Sequence, residues 1–336
     1  MISSLGVDSS RGIDVLVLLD HDGTALRPTA LELLTLARRV AGDGLVRGLW
    51  VGDGFEESRE QVLALAGAHG GDEVAPIRTS IDAKLTSTLT DAVHMVLSAR
   101  PAPLLLAVST FENKELAARL AVRAGAGVVT DATSVEIDAD GRVVAGKVVL
   151  AGSWATRCAV TAPLAVITVR PHALQAERSD RAPASSPDSF LLSDASTRAV
   201  TVVSRTPRPV SGPSLAEAEV VVVGGRGTDG DFSPVRELAE VLGGAVGATR
   251  VATDEGWIGH EAQIGQTGVT ISPRLYVGAG VSGAVHHRGG MDASVTIVAI
   301  NNDPDAPIFE FCDYGVVGDL GEVLSALSAE LRRRRA

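Results

Sequence analysis

Aromatic residues are scarce in this chain: six Phe, three Trp and two Tyr give 3% of 336 residues. Any core must therefore be built mainly from Val, Leu and Ala. Cysteine is almost missing. Cys158 and Cys312 stand alone, which excludes a disulfide framework and any cysteine metal spacing. Positive charge is also in deficit, with 30 Lys and Arg against 41 Asp and Glu and a net charge of −11. That balance argues against nucleic acid as the main partner. The only basic run, Arg332–Arg335, ends the last expected helix, where cations favour the helix dipole. No apolar run reaches the ~18 residues of a spanning helix, so membrane insertion is not expected. Asp8 and Asp14 interrupt the N-terminal stretch, so a signal peptide is not expected there. A reducing cytoplasm is the simplest compartment.

What is present is the composition of a globular, well-cored protein, 45% hydrophobic and 21% charged. Its 336 residues exceed one typical domain, so two are expected. The first half alternates strand and helix. Strands are expected at Val15–Leu19, Leu45–Val51, Glu73–Ile77 and Leu104–Val108, with helices at Pro28–Val40, Glu56–Ala68, Ile81–Ala99 and Glu112–Ala124. Such alternation builds a parallel sheet with helices on both faces. Short strands follow at Ser134–Ile137, Arg142–Val144 and Lys147–Leu150, turning at Asp138–Gly141, before Leu164–Val169 closes this half. His21, between Asp20 and Asp22, suggests a metal or acid–base site on one reading. A solvated strand-end loop is the simpler one, because no further ligand follows at metal-like spacing.

Residues 172–214 are rich in Pro, Ser, Ala and charge and read as a linker, with one strand at Ala199–Val203. The boundary is placed at Ser204, dividing the chain into domains 1–204 and 205–336. The second domain opens on a buried strand, Ala218–Val223, running into Gly224-Gly225-Arg226-Gly227-Thr228-Asp229-Gly230. Gly225 to Gly230 is a literal G-x-G-x-x-G, which suggests an NAD(P)-dependent Rossmann dehydrogenase. Asp231 and Phe232, however, separate the last glycine from a helix expected to start with Ser233 as N-cap and Pro234 at N1. In the dinucleotide fingerprint the glycines themselves open the helix. Further on, Leu275–Val277 and Val295–Ile300 read as buried strands flanking Gly278, Gly280, Gly283, Gly289 and Gly290. Ser282 to His287 would present backbone N–H groups at a helix start, an anion site.

These pieces come in a telling order: GGRG from Gly224, GATR ending at Arg250, QIGQTG from Gln263 to Gly268, and Ser282–His287. Asn301-Asn302-Asp303-Pro304, Ala306–Phe309 and Asp313-Tyr314-Gly315 follow. Together they resemble the C-terminal FAD domain of the electron transfer flavoprotein α-subunit family. The likeness extends more loosely to the first domain through Asp20–Gly23, Gly125–Gly127 with Thr130-Asp131, and Val169-Arg170-Pro171. The resemblance implies an α/β protein of two domains, each a mostly parallel doubly wound sheet. The first would be adenine-nucleotide-hydrolase-like, structural, and in contact with the β subunit; the second would bind FAD.

The resemblance also implies roles. Arg226 and Arg250 would meet the cofactor, Arg250 over the ring, where its permanent charge favours the reduced anion. Thr249 precedes it, where serine is frequent in relatives. His287 would donate to the N1/C2-carbonyl edge, and Thr267 with Gln266 to the N5/O4 edge, carried by Ile264 and Gly265. Ser282, Gly283, Ala284, Val285, His286, Asn301, Asp319 and Leu320 would take the diphosphate and adenosine. His286 stands where relatives often have glutamine, and places a second titrating group near the flavin. Asn302 and Cys312 replace commoner lysine and alanine. The implied function is one subunit of a heterodimeric electron carrier rather than a substrate-converting enzyme. Its partners would be a β subunit, itself a carrier of AMP or a second FAD, flavin-dependent dehydrogenases as donors, and a quinone oxidoreductase or other acceptor. An NAD(P)-dependent dehydrogenase and a non-redox nucleotide-binding protein are the alternatives.

Overall fold

The computed structural model describes residues 12–150, 154–192, 202–204, 206, 212–215 and 218–335. They fall into two compact units: Met1–Lys147 with Ala155–Thr206, and Val148–Trp154 with Pro207–Ala336.

The first unit opens with β1 (Val15–Leu18), α1 (Pro28–Ala41), β2 (Val46–Val51), α2 (Phe55–Ala68) and β3 (Glu73–Thr79). It continues through α3 (Thr86–Ala99), β4 (Leu104–Val108), α4 (Phe111–Ala124), β5 (Gly127–Ala132), β6 (Ser134–Ile137), β7 (Val143–Val149), β8 (Trp154–Ala159), β9 (Ala165–Val169) and β10 (Phe190–Leu192). Seven strands form one sheet in the order β10-β3-β2-β1-β4-β9-β5, every pairing parallel. The strands β1, β2, β4 and β9 are buried at every position. Near-continuous Val, Ile and Leu runs of this kind belong to parallel strands covered on both faces. The helices have legible ends: Pro28 in the first turn of α1, and the Thr110 side chain accepting the Asn113 amide at α4.

Several expectations change. The helix expected from Ile81 begins only at Thr86. The Thr79 hydroxyl takes the Ile81 amide and the Asp82 carboxylate takes that of Lys84, bonds that compete with helix. The two strands expected at Arg142–Val144 and Lys147–Leu150 are one, β7, in a three-stranded sheet with β6 and β8. β8 has no buried face to read, and β10 is a three-residue strand inside the Pro- and Ser-rich stretch, paired with Ile77–Thr79. Of the strand expected at Ala199–Val203, residues 199–201 lie outside the described residues, and 202–204 form no regular element.

The second unit runs β11 (Val220–Gly224), α5 (Ser233–Leu242), β12 (Ala245–Ala248), α6 (Arg250–Asp254), β13 (Leu275–Ala279), α7 (Val285–Arg288), β14 (Thr296–Asn301), β15 (Tyr314–Val317) and α8 (Leu320–Arg335). Its five strands are all parallel, ordered β12-β11-β13-β14-β15. Alternate strand residues feed two cores. Val222, Val277 and Ile300 pack with α5, α6 and α8. Val221, Tyr276 and Ile297 pack instead with Ile264, Ile271, Met291 and Ile308, from loops and short helical turns. Ser233 is the first residue of α5 rather than its cap, and the Asp231 carboxylate accepts its amide at 2.9 Å. The Gly225–Gly230 turn coils as a 3-10 turn at Arg226–Thr228, so the glycines do not open the helix.

The strand ends are in register, with Gly224 paired to both Ala248 and Ala279, and Ala279 to Ile300. Order reverses between β11 and β13, so their turns part at the sheet's switch point, where open α/β sheets bind ligands. The two turns meet backbone to backbone. Gly225 N–H donates to the Ala279 carbonyl at 3.0 Å and Gly227 N–H to that of Gly280 at 3.1 Å. A Cβ on Gly225 would stand 2.2 Å from the Gly280 carbonyl oxygen. Gly225→Ala is therefore expected to cost about 1–3 kcal/mol by overpacking. Gly318→Ala, whose Cβ would meet only the Val323 side chain at 3.5 Å, should be near neutral. Urea midpoints of the two variants check this.

Candidate cofactor site

Most of the residues expected to bind a cofactor lie just past the carboxyl ends of these five strands. Arg226 follows β11 and is exposed on the 3-10 turn. Thr249 and Arg250 follow β12, Ser282–His287 follow β13, Asn301 ends β14, and Asp319 and Leu320 follow β15. The segment Gln263–Thr267 joins them from the side. Ile264 N–H donates to the Ala248 carbonyl at 2.9 Å, and Gln266 N–H to that of His286 at 2.9 Å. One edge of one sheet thus gathers the whole set.

Some of these residues point outward and others support the turns. Arg226, Arg250, Gln266, Thr267, Ser282, Ala284, Val285 and His286 are exposed. Arg250 pairs with Asp254 at 3.2 Å, with its side chain 68% exposed. Ile264, Gly265 and Gly283 are buried backbone: Gly283 sits at φ +83, where a Cβ would meet the Ile308 amide at 2.6 Å. Asn301 is buried. Its amide donates to the Val281 carbonyl at 2.9 Å and its carbonyl oxygen accepts the Asp303 amide at 3.0 Å. Asp319 accepts the Glu322 amide at 3.0 Å, a cap for α8. Leu320 approaches Gly280.

His286 and His287 go opposite ways. His287 is buried, its Nδ1 3.0 Å from the Ile264 carbonyl and its Nε2 2.8 Å from the Tyr276 hydroxyl. A carbonyl can only accept, so Nδ1 carries the proton and Nε2 accepts from Tyr276. Both nitrogens are thereby engaged within the protein, and the donor role expected of His287 competes with these two bonds. The buried tyrosine is a member of the site that sequence reasoning missed. Its signal was present: a tyrosine inside an apolar strand needs a partner for its hydroxyl. Thr253 and Gln263 were missed too. The Thr253 hydroxyl lies 2.8 Å from the Arg250 carbonyl and 3.1 Å from Gln263 Oε1, while Gln263 Nε2 donates to Thr267 Oγ1 at 2.9 Å.

The fit to a cofactor rests on what is left over. The Thr249 hydroxyl is buried without a partner. Among the described residues, no acceptor lies on the amides of Ser282, Gly283 and Ala284. The buried hydroxyl is costly unless a ligand takes it, and the amides, on the exposed Ser282 and Ala284 and the buried Gly283, are open to an acceptor. The helix behind those amides, α7, is a single turn, so anion binding would depend on individual N–H groups and the nearby arginines rather than on a macrodipole. Among the described residues, no group of three His, Cys, Asp or Glu side chains is placed to hold a metal ion. Nor is any described helix long and apolar enough to cross a membrane. His21, in the first unit, stacks on the buried Trp50 with ring centroids 3.7 Å apart and is half-buried rather than a purely solvated loop residue.

Burial pushes His287 from its ordinary 6.5 down to about 4. The unfolded chain therefore takes up the proton first as pH falls. The stability contributed by the neutral ring is complete above about pH 6.5 and lost between about pH 6.5 and 4, up to roughly 3 kcal/mol. Wild type should lose more stability than His287→Gln over that interval. Denaturant unfolding at pH 7, 6, 5 and 4 compares the two slopes, and parallel slopes would count against a buried neutral His287.

Residues 15–197 match the family model of the electron transfer flavoprotein domain, and residues 214–292 that of the electron transfer flavoprotein FAD-binding domain. The chain is 36% identical over 331 residues to electron transfer flavoprotein subunit alpha of Bacillus subtilis, covering 96% of this chain and 98% of that one. The same subunit of Mycobacterium leprae is 36% identical, with 96% and 99% covered. Protein FixB of Rhizobium meliloti is 33% identical over 339 residues, with 96% and 94% covered. Matched almost end to end, with the aligned turns of its second unit inside the matched flavin domain, the chain belongs to the electron transfer flavoprotein α-subunit family.

Proposed function

We propose that this chain is the α subunit of a heterodimeric, cytoplasmic electron transfer flavoprotein that holds one FAD on the strand-end edge of its second unit. Residues 205–336 form the FAD domain, and residues 1–204 the structural domain that contacts the β subunit, which carries AMP or a second FAD of its own. The complex takes electrons from flavin-dependent dehydrogenases and passes them to a quinone oxidoreductase or a similar acceptor. The observation that carries this reading is the convergence of Arg226, Thr249–Arg250, Ile264–Thr267 and Ser282–His287 on one edge, within a chain of this family.

The bound flavin supplies reversible acceptance of single electrons. The chain's own groups bind and bias it. Arg226 and the amides of Ser282–Ala284 suit the diphosphate, because guanidinium and N–H groups both donate to anionic oxygens. Asn301, Asp319 and Leu320 lie towards the adenosine end. The Thr249 hydroxyl has a bond to give. Gln266 and Thr267 serve the N5/O4 side. His287 serves the ring through the Ile264 carbonyl that it holds, and a direct bond to the N1/C2 edge would replace one of its two present ones. Arg250 gives up little by turning to the ring, since an exposed pair such as that with Asp254 is worth about 1 kcal/mol or less. Co-expression with a β subunit, followed by absorbance, cofactor extraction and reductive titration, tests the reading. A yellow complex that releases FAD and is reduced reversibly is expected. A colourless complex that takes up no FAD would overturn it.

Arg250→Ala should lower the first one-electron reduction potential. Unit charges about 4 Å apart interact by roughly 4 kcal/mol at an effective dielectric near 20. Desolvation offsets part of this, leaving about 1–3 kcal/mol. That corresponds to roughly 40–130 mV at about 59 mV per tenfold. Arg250→Lys should recover only part, since an ammonium cannot stack on a ring. Potentiometry at two ionic strengths decides it: a shift within about 10 mV on the same conversion, or one abolished by salt, would remove Arg250 from the ring.

Asn301→Ala and Asp319→Ala should weaken FAD retention while leaving the potential of the remaining flavin nearly unchanged. Their own hydrogen bonds shape the Val281 and α8 turns rather than the ring end. FAD content after gel filtration measures this, and normal retention by either variant would be evidence against its place at the adenosine end.

A further inference from the structure

We infer that Gln263 is a positioning residue that orients the Thr267 hydroxyl, so that this hydroxyl reaches the cofactor as a hydrogen-bond donor. The inference rests on the flavin reading above and adds a residue to it. Gln263 is 7% exposed and Thr253 2% exposed. Buried amides and hydroxyls are costly unless bonded, and among the described residues both side chains are bonded only to each other and to the site. Gln263 Oε1 faces the Thr253 hydroxyl at 3.1 Å, and Nε2 faces Thr267 Oγ1 at 2.9 Å. The Thr253 hydroxyl also lies 2.8 Å from the Arg250 carbonyl. The one Thr253 proton is shared between these two acceptors, the Arg250 carbonyl and Gln263 Oε1, and Gln263 Nε2 carries the contact on to the exposed hydroxyl of Thr267.

The direction of the last bond carries the chemistry. A hydroxyl has one proton and two lone pairs. With Nε2 donating to it, Thr267 Oγ1 uses a lone pair towards the protein and keeps its proton for whatever lies outside. If the amide were reversed, Thr267 would spend its proton on Oε1 and offer a ligand only lone pairs. The backbone around Gln263 is held independently. Its carbonyl accepts the Val269 amide at 2.7 Å, Ile264 N–H donates to Ala248 at 2.9 Å, and the Ile264 carbonyl accepts from His287 at 3.0 Å. Side-chain substitution at 263 therefore changes the bond to Thr267 without releasing the loop.

The test is a set of three pairs: wild type, Gln263→Met and Gln263→Glu, each with and without Thr267→Val. A carboxylate at 263 can only accept, so it draws in the Thr267 proton; methionine leaves the hydroxyl unguided. The first one-electron reduction potential and the FAD dissociation constant are measured at pH 8 on the flavin-loaded complex, with thermal stability as a control for folding. In wild type, Thr267→Val should disfavour the first reduction by about tenfold, roughly 59 mV, as expected for one hydrogen bond to a charged group. The same substitution should cost a few-fold in the Gln263→Met background and less than about twofold with Gln263→Glu, whose donor is already withdrawn. The double comparison removes the direct effect of the new charge. Equal Thr267→Val penalties in all three backgrounds would overturn the inference. If Gln263→Glu does not fold, wild type and Gln263→Met alone decide on the same criterion. A wild-type complex that takes up no FAD would overturn the flavin reading itself, which separates the two failures.

Discussion

The contact on which the site depends is the one between Gly225 and Gly280, where two backbones touch and no Cβ fits. The parallel ladder of β11 and β13 does not stop with the strands. It continues through Gly225 N–H to Ala279 and Gly227 N–H to Gly280, so two turns that would otherwise diverge at the switch point are bound as one surface. Arg226 stands on one turn and Ser282–Ala284 on the other. Their spacing is therefore set by main-chain hydrogen bonds, which are short-range and directional, rather than by side-chain packing.

Beneath that surface the sheet end is built from Val and Ala, and every polar group placed there has to find a partner inside the protein. Three small networks do this: Tyr276 with His287 and the Ile264 carbonyl; Thr253 with Gln263 and Thr267; and Asn301 with Val281 and Asp303. Each ties a different loop to the same edge. Against this background of satisfied groups, the Thr249 hydroxyl and the amides of Ser282, Gly283 and Ala284 stand out. A buried donor left unmade costs about 1–3 kcal/mol. That cost falls on the Thr249 hydroxyl, and the open amides of the turn at Ser282–Ala284, two of whose residues are exposed, stand ready beside it for a ligand's acceptor atoms.

Much of this could be read in the chain itself, and the parts that could not have physical reasons. Strands buried on both faces, such as Leu104–Val108 and Ala165–Val169, leave a continuous apolar run. The residues between Gly230 and Ser233 ruled out a helix opened by glycine, and the 3-10 turn with its Asp231 capping bond agrees. β8 and β10 left no such trace. One has no buried face, and the other gains its place by pairing to an edge three residues long. The histidines show the limit most clearly. His286 and His287 are adjacent, and nothing in their order tells which one is buried. Only the one-turn helix, which turns successive side chains to different sides, sends His287 to Tyr276 and His286 to solvent. Likewise, Gln263 and Thr253 are ten residues apart and meet only because β12 and the loop after α6 fold back on each other.

The same geometry separates two kinds of polar group that a redox site needs. The Thr267 hydroxyl is held by the buried Gln263 amide, so its dipole is already oriented; such a group costs no reorganisation when charge arrives. Arg250 is the opposite. Its backbone carbonyl is held near Thr253, but its side chain is 68% exposed and, among the described residues, its guanidinium pairs with Asp254 alone. A permanent charge on a long side chain can follow an anion at the expense of one weak exposed pair. The fixed hydroxyl would then help define where a cofactor ring sits, and the exposed arginine how strongly added charge is stabilised there. In a chain with a net charge of −11, a local cation at that edge would favour a ring that takes on negative charge.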